Sequence, residues 1–146
     1  MSYQVLKVLM LHGHQQSAEI FQPKTSYIQG AFHKFASDRA IAFDFHYMSG
    51  ILPADPDREE GNDQWVWGYG DPHDGEIKKI ERSIQHILGT LARDGPFAGI
   101  VGFSSGAAMA AIIASLLEKP ENISKVDWKV RQPPIVYPSR TMDNQS

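Results

Sequence analysis

The sequence predicts an α/β domain with a mainly parallel sheet, and three observations carry that prediction. Candidate strands and helices alternate in the order β-α-β-loop-α-β-α. The first and last candidate strands, Gln4 to Leu11 and Phe97 to Phe103, are short runs of mostly apolar or small residues, as in strands covered on both faces. A glycine-rich turn then joins the last strand to a segment that is apolar on all sides, Gly106 to Leu117.

Each element has its own signal. QVLKVLML, from Gln4 to Leu11, ends at His12-Gly13 and reads as a buried strand. Ser17 to about Ser37 reads as a helix, with Ile28, Ala31, Phe32 and Phe35 at helical spacing. Pro23 must lie in its first turns or break it in two, because proline lacks the N–H that a helix interior needs. From Ala40 to Tyr47, Ile41, Phe43, Phe45 and Tyr47 alternate with Ala42, Asp44 and His46, the pattern of a half-buried strand. Met48 to Pro72 is a long irregular segment carrying Asp55, Asp57, Glu59, Glu60 and Asp63, then Trp65, Trp67 and Tyr69. Its acids lack calcium-loop spacing and read as a solvated loop, whereas its aromatics either wall a pocket or staple the loop to the core. Asp74 to Arg93 reads as a helix with Asp74 as N-cap and a stripe of Ile77, Ile80, Ile84, Ile87, Leu88 and Leu91. Gly95-Pro96 turns the chain into the last strand, the helix from Gly106 is expected to be central, and Lys119-Pro120 ends it.

Composition bounds what such a domain can do. At 146 residues the chain holds one domain. It has no cysteine, which removes disulfide frameworks, thiolate metal sites and cysteine nucleophiles and suits a cytoplasmic protein. A net charge of -3 leaves no electrostatic footprint for nucleic acid. The apolar run Val8 to Leu11 is too short for a signal peptide. Phe97 to Leu117 carries no charge and has the length of a membrane span, but the glycines and serines at its middle favour a strand-turn-helix. No metal or cofactor is expected: His12 and His14 alone are too few ligands for a zinc site.

The chemistry concentrates in Gly102-Phe103-Ser104-Ser105-Gly106, a G-x-S-x-G motif. A serine nucleophile needs a sharp turn at the carboxyl end of a strand, with glycines on either side so that strand and helix approach closely. Ser104 is then the nucleophile, and the following helix directs its N-terminus at developing negative charge. The backbone N–H of Ser105 is one candidate oxyanion donor, and that of His14, in the loop after the first strand, is the other. The His12 and His14 side chains read as partly exposed loop groups.

These residues resemble the fungal-type serine hydrolase (FSH) family of the α/β-hydrolase superfamily. The stretches Leu11 to Phe21 and Gly95 to Ala110 carry the resemblance, which runs from about residue 5 to 118. Ser105 stands where the family usually has glutamine. The resemblance implies a partial α/β-hydrolase fold and hydrolysis of small carboxylic esters or thioesters through Ser104. It also implies a division into residues 1–128, the N-terminal part of the hydrolase domain, and 129–146, a divergent tail.

In these hydrolases the acid and the histidine of the triad follow the serine. The last histidine here is His86; after Ser104 come Asp127, too early for the triad acid, and Asp143, in a polar tail. By resemblance the later strands, the acid and the histidine are missing, so the chain is expected to be a truncated hydrolase with impaired activity. His12, His14 or His46 could substitute as base only within hydrogen-bond reach of the serine. Loss of the later strands also leaves one edge of the Ser104 strand unpaired and open to self-association, unless Val130 to Tyr137 begins the next strand. The alternative reading is a catalytically inactive remnant that binds a ligand or partner, and a membrane-associated protein ranks last.

Overall fold

Alternation along the first strand decides how the layers assemble. A computed structural model describes residues 3–57, 63–70, 73, 75–119 and 121. In chain order its elements are β1 (Gln4–Leu11), α1 (Ala18–Lys24), α2 (Ser26–Ala36), β2 (Ile41–Met48), β3 (Leu52–Pro53), β4 (Trp65–Val66), α3 (Ile80–Asp94), β5 (Gly99–Gly102) and α4 (Ser105–Glu118). In β1, Val8 and Met10 pack on one face with Phe21, while Leu9 and Leu11 join the cluster of Ile87, Leu88, Met109 and Ile113 on the other. A strand apolar on both faces belongs inside a sheet. β1 accordingly pairs in parallel with β2 on one side and β5 on the other, in the order β2-β1-β5. Helices on both faces complete a partial α/β fold. Among the described residues β5 pairs with β1 alone.

One helix boundary follows one of the two outcomes left open at Pro23, and a second differs from the sequence expectation. The first helix divides after Lys24, because Pro23 sits too deep in α1 to lie in its first turn. Thr25 leaves helical geometry there, donates its hydroxyl to the Gln22 carbonyl at 3.1 Å and meets the Tyr47 hydroxyl. The third helix starts at Ile80 rather than Asp74; the proposed cap at Asp74 lies outside the described residues. Tyr69 and Lys78 exchange two backbone hydrogen bonds, so the chain is extended at Ile77, which is 49% exposed. Lys79 then turns it into the helix through a left-handed conformation at φ 64.

The final helix is half-covered rather than central. Gly106, Met109 and Ile113 are buried, whereas Ala107, Ala108, Ala111 and Ala114 are exposed. Alanine is small enough to sit on either side of a helix, so an alanine-rich stretch does not show which face is covered. Phe97 to Leu117 is divided into strand, turn and a helix of 14 residues. At ~1.5 Å per residue that helix falls short of the ~30 Å hydrocarbon core. Among the described residues no helix is long and apolar enough to cross a membrane.

Candidate active site

The turn between β5 and α4 is built around one exposed serine. Ser104 has φ 54 and ψ -119, a strained conformation for a residue with a side chain. It is forced by what surrounds it. Phe103 N–H closes the sheet by donating to Leu11 O at 3.1 Å, and one residue later the helix begins, with Ala107 N–H donating to Ser104 O at 2.9 Å. A side chain at Gly102 would run into the Gly106 carbonyl, and one at Gly106 would run into the carbonyls of Leu11 and His12. Two hydrogens in place of two methyl groups therefore let strand, turn and helix close on one another. The Ser104 hydroxyl is left at the carboxyl end of the sheet and at the amino end of α4, where the helix dipole is positive.

The loop after β1 lies against this turn: a Cβ on Gly13 would contact the Phe103 ring at 2.9 Å. His12, expected to be partly exposed, is fully buried. Its Nε2 accepts the Gly50 N–H at 2.9 Å, which puts the proton of the neutral ring on Nδ1, and Nδ1 donates to the Gly13 carbonyl at 2.7 Å. The ring stacks on Trp67 at 4.7 Å, and Trp67 Nε1–H donates to His12 O at 2.9 Å. Gly13 N–H donates to Gln16 Oε1 at 2.9 Å, and Gln15 takes a left-handed φ of 56. The N–H groups of His14 and Ser105 make no intrachain hydrogen bond among the described residues. The Ser105 hydroxyl, at the position where the resembling family usually has glutamine, is buried without a hydrogen-bond partner among the described residues.

The segment between β2 and α3 is tied to that loop. β3 and β4 pair antiparallel, and Trp65 N–H donates to Gln16 O at 2.8 Å. Trp67 is a staple, buried in the core, which settles one aromatic between the two roles open in the sequence. Asp63 also has a structural role: it accepts the Ser17 hydroxyl at 2.6 Å, while the same hydroxyl oxygen caps α1 by accepting Ile20 N–H at 3.1 Å. Asp55 and Asp57 are exposed, and Glu59 and Glu60 lie outside the described residues. A groove of about 220 Å³ opens beside the elbow, lined by Gln16, Phe21, Thr25, Ile28, Gly102 and Phe103.

The structure brings Ser104, Ser105 and the His14 loop together and leaves the base unassigned. His12 has both ring nitrogens engaged. His46 Nε2 lies 3.6 Å from Asp94 Oδ2, and His86 Nε2 contacts Ser49 O at 3.2 Å. His14 is exposed. Asp127, Asp143, the Val130 to Tyr137 segment and the boundary at residue 128 lie outside the described residues. Sequence reasoning missed the joint formed by His12, Gly50 and Trp67. The buried strand running directly into His12 was the one available hint of its burial.

Burial holds the His12 imidazolium at a disadvantage and lowers its pKa from 6.5, against smaller raising effects of the Gly13 carbonyl and Asp63. In the unfolded chain the ring takes its proton at the ordinary value, so below about pH 6.5 the unfolded state binds more protons. Stability should therefore be level above about pH 7, and decline from about pH 6.5 down to the lowered folded value, by up to ~1.4 kcal/mol per pH unit. Urea midpoints between pH 5 and 8 for the parent and H12N check this; the same slope in both proteins would refute it.

Comparison with known proteins agrees with this architecture. A family model described as serine hydrolase (FSH1) matches residues 1–137. The chain is 33% identical over 143 residues to Esterase OVCA2 of Xenopus tropicalis, covering 86% of this chain and 60% of that protein. It is 32% identical over 117 residues to Family of serine hydrolases 2 of Saccharomyces cerevisiae, covering 74% of this chain and 52% of that one. A protein of Schizosaccharomyces pombe named dihydrofolate reductase is 30% identical over 129 residues, covering 77% of this chain and 26% of the longer protein. The chain thus spans between a quarter and three-fifths of the length of these relatives.

Proposed function

The chain belongs to the serine hydrolase (FSH1) family, and from that premise we propose that Ser104 is the nucleophile of an acyl hydrolase acting on small carboxylic esters or thioesters. The observation that carries this is the Ser104 backbone at φ 54 and ψ -119. Strain of this kind persists only where the surroundings enforce it, and here it exposes a hydroxyl at a helix N-terminus. Ser104 Oγ would attack the acyl carbon. The oxyanion would be received by the N–H groups of His14 and Ser105, both without intrachain partners among the described residues. The alcohol or thiol would leave, and water would then release the acyl group from the serine. The groove beside Phe103 offers an apolar wall for the acyl portion.

A second reading, a module that binds ligands without turning them over, is favoured by the engagement of His12, His46 and His86 with other partners. A serine without a base attacks slowly, although an oxyanion hole and binding alone retain on the order of 10³-fold catalysis over water. One experiment separates the two readings. The protein is treated with a fluorophosphonate probe, the adduct is mapped by peptide mass spectrometry, and hydrolysis of p-nitrophenyl acetate and of a thioester analogue is followed in parallel. An adduct on Ser104 with turnover supports the enzyme. An adduct without turnover supports the binding module, and no adduct, or one on Ser105, removes Ser104 as the nucleophile.

A further inference from the structure

We infer that the buried His12 imidazole is a positioning residue for this chemistry: by pinning the Gly13 carbonyl it sets the direction of the His14 N–H. The inference rests on the reading that the His14 N–H stabilises the oxyanion formed at Ser104. The Gly13–His14 peptide is trans, so its C=O and N–H point in opposite directions across a rigid plane. Whatever fixes the carbonyl fixes the amide.

The carbonyl is fixed by His12 Nδ1 at 2.7 Å, and the ring that carries Nδ1 is itself held. Gly50 N–H occupies Nε2 at 2.9 Å, and Trp67 covers a face with its ring centroid 4.7 Å away and its plane tilted by 25°. The Gly50 bond also determines the chemistry of the pin. A backbone N–H can only donate, so Nε2 must accept, and the proton of the neutral ring resides on Nδ1, where it donates to Gly13 O.

The loop needs such a pin. Glycine crosses between backbone regions at little cost, so the peptide following Gly13 could otherwise rotate and turn its N–H away. The neighbouring amide cannot take over, because Gly13 N–H already donates to Gln16 Oε1 at 2.9 Å. Of two consecutive N–H groups, one is committed to the loop and the other is left available.

Two substitutions separate the pin from the scaffold. H12N keeps an amide donor near the Nδ1 position but does not reach Gly50. H12Q reaches Gly50 with its terminal oxygen but leaves the Gly13 carbonyl without its donor. The second-order rate of Ser104 labelling by a fluorophosphonate is measured for both, with urea unfolding to establish that each is folded. H12Q should label on the order of 10²-fold more slowly than the parent, the scale of losing one oxyanion donor. H12N should restore most of that loss even if it is the less stable of the two. Equal losses, or a larger loss in H12N, would reduce His12 to a scaffold residue and overturn the inference. Absence of labelling on Ser104 in the parent would instead overturn the underlying reading, and the inference with it. Nitrogen-15 NMR of His12 in the unsubstituted chain tests the pin without any reaction: a proton on Nδ1 is expected at pH 7.5, and one on Nε2 overturns the inference.

Discussion

Replacing Gly106 with alanine is expected to cost about 4 kcal/mol, at the upper end of what a single methyl group can do. The added carbon would meet the carbonyl oxygens of Leu11 and His12. Neither is the end of a flexible side chain: both are backbone carbonyls, of the last residue of β1 and the one after it, and Leu11 O also accepts Phe103 N–H at 3.1 Å. Relief would require α4 to move away from the sheet, opening the contacts of Met109 and Ile113 with the core. Against a typical domain stability of about 5–15 kcal/mol, such a loss leaves little. Gly89 supplies the contrast. It lies inside α3 with nothing within 4 Å of an added Cβ, so alanine there should stabilise by up to ~1 kcal/mol through helix propensity. Urea midpoints of the two variants should move in opposite directions. A Gly106→Ala protein as stable as the parent would mean that strand and helix do not approach as described.

Substituting Ser104 with glycine should abolish labelling by a fluorophosphonate and at the same time leave the protein as stable as the parent or more so. The first result follows from removing the only hydroxyl in the turn placed on the exposed side. The second follows from the backbone. A φ of 54 with ψ of -119 costs a residue bearing a Cβ about 1–3 kcal/mol, and glycine adopts it at little cost. Glycine has more freedom to lose on folding, worth roughly 0.4–1 kcal/mol, which offsets part of the gain. Ser104→Ala provides the reference, since it removes the hydroxyl and keeps the strain. Glycine should therefore unfold at higher urea than alanine. If the alanine variant proved the more stable, the strain assigned to the elbow would be wrong.

The elbow was legible because its information is local. Two glycines flanking a serine, between an apolar strand and an apolar helix, specify a tight turn without reference to the rest of the chain. The parallel sheet was legible for a related reason, since alternation in Ile41 to Tyr47 and the apolar runs in β1 and β5 mark these segments as strands, although the burial along them is less regular than the pattern: β5 is half-buried throughout and the start of β1 is exposed. What escaped depends on partners far away in sequence. His12 meets Gly50 across 38 positions and Trp67 across 55, and no periodicity encodes either meeting. Ile77 shows the opposite failure. It is in phase with the stripe of α3, yet the Tyr69–Lys78 bridge holds the adjoining backbone extended, so tertiary pairing overrode a correct local pattern. The sequence offered His14, from the loop after the first strand, and Ser105, from the motif, as candidate oxyanion donors, whereas the hydrogen bonds that commit the neighbouring amides could be seen only in the folded chain.

The stacking of Trp67 on His12 has a photophysical consequence. An imidazolium quenches indole emission far more strongly than a neutral imidazole, and these two rings lie face to face at 4.7 Å in a site closed to solvent. Trp67 is thereby a natural fluorophore for the protonation state of the ring beneath it. Of the chain's two other tryptophans, Trp65 is partly exposed and Trp128 can be replaced together with it by phenylalanine. In that background a steady-state emission titration would read out the charge on His12 optically, with no added label.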